Sequence, residues 1–215
     1  MKKITISVVV ACVVLIAGCR WVGIRGNGHI KIDERTIGAF ANIETSGAFE
    51  IEWRNGAPSL RIKTDENLFP YIESKISGNT LRLRTREQIR PTHGITVSVA
   101  SPAREAAKIT GAVKLAASQL TGPQFALEGT GASRISLDGS IDQLLVDMTG
   151  ASDLKAGALQ TKTAEISIQG AGDAEVAVAE KLKVAIAGAG KVTYSGNPPT
   201  IEKHISGAGS IRHKD

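Results

Sequence analysis

Between residues 103 and 213 the chain alternates apolar and polar positions in short runs on either side of a recurrent Gly-Ala step. Four and two residues before the glycine stand Ala107 and Ile109, Leu127 and Gly129, Val146 and Met148, Ile166 and Ile168, Val184 and Ile186, then Lys203 and Ile205. Four and six residues after it stand Leu115 and Ala117, Ile135 and Leu137, Leu154 and Ala156, Ala174 and Val176, Val192 and Tyr194, then Ile211 and His213. Alternation with period two buries one side of an extended chain, so each repeat reads as two short strands with the Gly-Ala step as the bend between them. Gly129, Lys203 and His213 interrupt otherwise apolar columns.

The glycines of that step are Gly111, Gly131, Gly150, Gly170, Gly188 and Gly207, at separations of 20, 19, 20, 18 and 19. An alanine follows every one: Ala112, Ala132, Ala151, Ala171, Ala189 and Ala208. A unit this short cannot bury its apolar side alone, whereas stacked copies share a continuous core. The pattern predicts an all-β, parallel β-helix-like solenoid of coils about 19 residues long, right-handed by analogy with other β-helices. The constant alanine is expected as an inward corner residue. The glycine is expected to adopt a positive φ or to let the next coil approach closely. Residues 43 to 53 follow the same template, with Gly47, Ala48, Ile51 and Trp53 in place.

The stretch between is less regular. Residues 59–64, 80–85 and 95–102 alternate as strands, residues 67–76 can hold a short helical turn, and Ser77-Gly78-Asn79 reads as a turn. Pro102 ends one strand and leads into the regular coils, leaving a subdomain border near 102 open. The domain reading is a leader over 1–18, a lipid-anchored linker over 19–29 and the solenoid over 30–212.

The leader rests on a separate pattern. Met1-Lys2-Lys3 is basic, Ile4 to Ile16 is almost unbroken apolar sequence, and Ile16-Ala17-Gly18-Cys19 resembles a bacterial lipobox. About thirteen apolar residues suit a signal-peptide core and fall short of the ~20 that span a bilayer. The lipobox resemblance implies cleavage before Cys19 and lipid attachment at that residue, giving membrane anchoring through two or three acyl chains. Arg20 is not the aspartate associated with inner-membrane retention, so outer-membrane sorting is expected in a host with two membranes. Cys12 leaves with the leader and Cys19 carries lipid, so no disulfide or cysteine metal site is expected.

Composition narrows the chemistry. Without Lys2 and Lys3 the formal charge is +3 (24 basic minus 21 acidic residues), too weak to argue for nucleic acid. Eight aromatics and 23 glycines describe a core of small aliphatics and a chain rich in turns.

The segments "ERTIGAFANIETSGAFEIEW" and "LRIKTDENLFPYIESKISGNTLRLRT", with the later Ser/Thr-Gly-Ala steps, resemble the head GIN domain family, a group described as auto-transporter adhesins. Asp65-Glu66-Asn67-Leu68 followed by Pro70-Tyr71-Ile72-Glu73 carries the resemblance most specifically, and it covers about residues 30 to 212. It implies a β-helical fold and adhesion, and brings no catalytic residue with it.

Site candidates are few. Gly188-Ala189-Gly190-Lys191 looks like a phosphate loop, but Ala185 occupies the first P-loop glycine position and Val192 stands where Ser or Thr would bind magnesium. It reads as a structural corner. His29, His93, His204 and His213 lack metal-site spacing, and neither metal nor cofactor is expected. Asp153 and Asp173 are expected to stack in a row shared with Lys114, Arg134, Lys191 and Ser210, which reads as a solvated charged face. Arg82, Arg84 and Arg86 alternate along one strand and form a candidate stripe for lipid headgroups, lipopolysaccharide phosphates or an acidic glycan. The expected function is a non-catalytic envelope module for adhesion or scaffolding, with an unidentified glycan or protein ligand. Two alternatives stay open: a sensor or factor that self-associates through open coil ends, and a glycan-acting enzyme.

Overall fold

Gly47 and Gly111 are separated by 64 positions (111 minus 47), yet they lie side by side on neighbouring strands. They are the first two rungs of a ladder in which Gly131, Gly150, Gly170, Gly188 and Gly207 follow in register. The computed structural model describes residues 23–214; the leader and Cys19 lie outside them. Before the ladder come β1 (Ile24–Arg25) and β2 (Ile30–Arg35), and its first corner joins β3 (Asn42–Gly47) to β4 (Glu50–Asn55). An excursion follows: β5 (Ser59–Asp65), a 3-10 helix (Glu66–Tyr71), β6 (Ile72–Ser77), β7 (Thr80–Thr85), β8 (Ile89–Arg90) and β9 (Thr96–Ser101). The regular coils are β10 (Ala106–Gly111), β11 (Lys114–Gly131), β12 (Arg134–Gly150), β13 (Asp153–Gly170) and β14 (Asp173–Gly188), closed by β15 (Lys191–Ser195), β16 (Thr200–Gly207) and β17 (Ser210–His213).

The solenoid is a single large sheet. β7 and β9 form the coil beneath β3 and β4, and β10 and the start of β11 form the coil above, all in parallel. The helical turn expected within residues 67–76 is the 3-10 helix but stops at Tyr71, the rest of that range being strand β6, and the turn at residues 77–79 closes the antiparallel β6–β7 hairpin. In the regular coils the two strands of each repeat are joined. The chain stays paired almost from corner to corner, and the second bend shows as a break in register, as between Ala117 and Leu120 or between Ala156 and Gln160.

The apolar columns are buried as the alternation required, from Leu115, Ile135 and Leu154 to Val192 after the corner and from Leu127, Val146 and Ile166 to Val184 before it. The corner alanine is not. Ala112, Ala132, Ala151, Ala171, Ala189 and Ala208 are all exposed, and the inward residue is the next one: Val113, Ser133, Ser152, Gly172 and Gly190. Counted from each glycine from Gly111 to Gly188, the second, fourth and sixth residues lie inside, and the alanine at the first position lies outside. Ser133 and Ser152 keep their hydroxyls buried by donating to the carbonyls of Gly111 and Gly131, at 3.2 and 3.4 Å.

Aromatics gather near the N-terminal end of the core. Trp53 is fully buried, 6.2 Å from both Phe40 and Phe125 by ring centroid, and its Nε1–H donates to Ser101 Oγ at 2.8 Å. A buried carboxylate stands at the far end of β5. Asp65 accepts from the Gly28 amide at 2.7 Å and from both the amide and hydroxyl of Thr92 at 2.8 Å. Asn67 accepts from the Asn27 amide and donates to the Arg25 carbonyl. Half of the Asp-Glu-Asn-Leu motif therefore clamps residues 25–28 and Thr92 to the end of β5, and Leu68 is buried as a plug.

The ends of the sheet differ. β2 and β6 close the N-terminal end as antiparallel edges. Lys31, Asp33 and Arg35 of β2 lie opposite the buried Thr64, Ile62 and Leu60, and so carry charge on an inward face. Asp33 and Arg35 pair at 2.8 Å and Lys31 reaches Glu66 at 2.6 Å. Inward charge on an edge strand discourages further pairing. The C-terminal end, β16 and β17, has no such cover among the described residues.

Candidate functional site

Strand register assembles the outward rows. Lys75, Arg82, Glu44, Lys108 and Glu128 stand in one row across five strands, with Glu73, Arg84 and Ser46 in the next. A groove of about 230 Å³ lies over them, lined by Glu44, Ser46, Glu73, Lys75, Arg82, Leu83 and Arg84. The three arginines are exposed, and each has a carboxylate beside it. Arg82 Nε meets Glu44 Oε2 at 2.9 Å, Arg84 Nε meets Glu73 Oε2 at 2.8 Å, and Arg86 Nε lies 3.6 Å from the same oxygen. The hydrogen bond from Arg84, with the added charge of Arg84 and Arg86, holds Glu73 below the ordinary glutamate range against the opposing effect of its burial.

The stripe is thus a mixed patch in which Lys75, Arg82, Arg84 and Arg86 outnumber Glu44 and Glu73 by two (four minus two). Rim pairs of this kind contribute little to stability, so they can open toward a ligand at small cost. The partners Glu73 and Lys75 had a sequence signal: a two-residue turn at Gly78-Asn79 sets 77 opposite 80, hence 73 opposite 84 and 75 opposite 82. Glu44 follows only once β3 is known to lie beside β7.

A second depression opens where the coil containing Gly157 and Ala158 is followed by a shorter one, so that residues 157–159 have no equivalent in β14. Lys155, Asp138, Glu175 and Lys214 reach it, with Glu175 and Lys214 paired at 2.6 Å.

At Gly188-Ala189-Gly190-Lys191 the amides of Ala189 and Lys191 donate to the carbonyls of Gly170 and Gly172 at 2.8 and 3.1 Å, so those donors are spent on the preceding coil and do not face a phosphate. Gly188 has φ +130°, and a Cβ there would overlap the Gly170 carbonyl oxygen. Lys191 is half-buried. Asp153 and Asp173 are register partners in the row Glu50, Lys114, Arg134, Asp153, Asp173, Lys191, Ser210, and Lys114 pairs with Glu50 at 2.5 Å. His29, His93, His204 and His213 are exposed. Among the described residues no three His, Cys, Asp or Glu side chains group as metal ligands, and no helix is long and apolar enough to cross a membrane.

The profile of the family described as "Putative auto-transporter adhesin, head GIN domain" matches residues 39–198. Among solved structures the fold is similar to that of a putative adhesin from Bacteroides fragilis NCTC 9343, 19% identical with a TM-score of 0.73, over 89% of this chain and 100% of that one. A putative lipid binding protein from Parabacteroides distasonis ATCC 8503 is 23% identical with a TM-score of 0.56, over 89% and 99%. A putative adhesin from the same organism is 18% identical with a TM-score of 0.59, over 89% and 100%. No curated protein matches the chain.

Proposed function

The chain belongs to the head GIN domain family, and from that premise we propose that it is a non-catalytic adhesion module of the cell envelope that holds an anionic ligand over the groove between β3, β7 and β6. The observation that carries this reading is the charge balance of that groove, where Lys75, Arg82 and Arg84 stand over Glu44 and Glu73, with Arg86 adding a further cation beside Glu73 one residue past the end of β7. The strands beneath are locked in register and rooted in buried Leu81 and Leu83, so the cations sit on a rigid platform. A rigid platform limits the ordering cost of binding. Guanidinium groups suit phosphate, sulfate or carboxylate oxygens, to which they donate two bonds at once.

Two sources can supply that chemistry, and one titration separates them. The full chain in detergent micelles is titrated with heparin, a sulfated polysaccharide, and in parallel with phosphatidylglycerol-doped micelles. Combining Arg82→Glu, Arg84→Glu and Arg86→Glu should weaken binding to the true ligand class by tenfold or more at low salt. Binding of the unaltered chain should fall as salt rises. Unchanged affinity of the triple variant for both probes would remove the groove from the proposal.

The module is held to the membrane by lipid on Cys19, in an outer membrane where the host has one. Cys19→Ala should move the chain from the membrane pellet to the soluble fraction and abolish incorporation of labelled palmitate. Retained label would end the anchor reading and leave the groove untouched.

A further inference from the structure

At the open end of the solenoid the core columns finish on Ile201, Lys203 and Ile205 of β16. Lys203 is the register partner of buried Val184, and Ile205 that of buried Ile186. With no coil above it among the described residues, Ile205 is 41% exposed, Ile201 is half-buried and Lys203 is exposed. The Lys203 side chain makes no ion pair or hydrogen bond among the described residues. Its neighbours Lys181 and Lys183 are matched to Glu202 and Glu165 at 2.7 and 2.5 Å. β16 pairs with β14 along one edge. In a parallel ladder alternate residues bond the same neighbour, so the other set of amides on β16 faces the open side.

We propose that β16 is a strand-addition site for an extended polypeptide segment of the pattern apolar–x–acidic–x–apolar. Its backbone would continue the sheet, its two apolar residues would cover Ile201 and Ile205, and its carboxylate would meet the Lys203 ammonium between them. Edge addition draws affinity from main-chain hydrogen bonds and specificity from alternate side chains. Here the alternate set is two apolar positions and one unmatched cation.

A second copy of the chain fits less well. Carrying the columns straight on to β6 of another molecule sets Ile76 against Lys203 and Lys75 against His204. On β6 the Ile72 carbonyl and Ser74 hydroxyl are already bonded by Arg35 at 2.8 and 2.9 Å. Two C-terminal ends paired antiparallel about Lys203 would bring the two lysines together. The site lies at the opposite end of the sheet from the arginine groove, so either can fail without the other.

The test uses the full chain in detergent micelles and two fluorescein-labelled peptides, Ser-Val-Thr-Glu-Thr-Val-Ser and the same sequence with lysine at its centre, read by fluorescence anisotropy. The glutamate peptide should bind at least tenfold tighter than the lysine peptide. Lys203→Glu should invert that preference, which a merely unfolded variant could not do. The variant combining Arg82→Glu, Arg84→Glu and Arg86→Glu should bind both peptides as the unaltered chain does. Equal binding of the two peptides, no binding of either, or a preference untouched by Lys203→Glu would overturn the assignment. So would concentration-dependent association of the chain by sedimentation that Lys203→Glu abolishes, since the occupant would then be a second copy.

Discussion

Gly150→Val should leave the chain largely unfolded, and Gly150→Ala should cost about 3 kcal/mol of stability, whereas Ala151→Ser, one position on, should stay within about 0.5 kcal/mol. Gly150 has φ +110°, which β-branched residues rarely adopt. An added Cβ would also fall on the carbonyl oxygen of Gly131 in the preceding coil. That oxygen cannot withdraw, because it accepts from the amide of Ala151 at 2.9 Å and the hydroxyl of Ser152 at 3.4 Å. Relief would mean opening the space between two coils in the middle of a ladder seven glycines long. Ala151 is exposed on the outer side of the same corner and has room for a hydroxyl. Urea denaturation midpoints of the three variants check this. A similar loss for Gly150→Ala and Ala151→Ser would mean that the corner is not set by close approach of the coils.

Asp65→Ala should cost about 3 kcal/mol at neutral pH, because it removes three bonds to one buried carboxylate and leaves the Gly28 and Thr92 amides without their acceptor. Burial opposes ionisation of Asp65, but the bonds from Thr92 and Gly28 outweigh it and hold the carboxyl below its ordinary value of 3.8. A depressed folded-state pKa contributes stability that is fully present above the unfolded value and is lost as pH falls through the folded one. The gap in urea midpoint between the unaltered chain and Asp65→Ala should therefore be constant from pH 7 to 5 and narrow below about pH 4. Other titrating carboxylates are common to both chains and drop out of the difference. A gap that widened in acid would show that Asp65 is protonated in the folded chain.

The two predictions mark different degrees of legibility in the sequence. Gly150 was readable because the coils repeat: a constraint imposed by one neighbour on another recurs at every coil and prints a period. The alanine beside it is equally visible in the sequence, yet it lies on the outer side of the corner. Its constancy suggested an inward corner, while the parity of the alternation, carried through the glycine, puts it outside and gives the corner interior to Val113, Ser133 and Ser152. The arginine stripe was half legible. Alternation put Arg82 and Arg84 on one face and the Gly78-Asn79 turn implied Glu73 opposite Arg84, but the pairing of Arg82 with Glu44 depends on β7 lying beside β3. Nothing in the Asp65 motif named its partners, because Gly28 and Thr92 come to it across the end of the solenoid.

What the sequence determined by itself is whatever repeats or alternates: the all-β class, the coil length, the glycine ladder and the buried columns. A period-two pattern and a steric requirement at each corner are local, and each coil restates them. The tertiary structure alone decided how the irregular residues 56–105 fold back to build a coil beneath Gly47, which carboxylates meet the arginines, and that one end is sealed by charged β2 while Ile205 and Lys203 stand open at the other. Those outcomes depend on which strand edges become neighbours, and residues brought together once, from distant parts of the chain, leave no period to read.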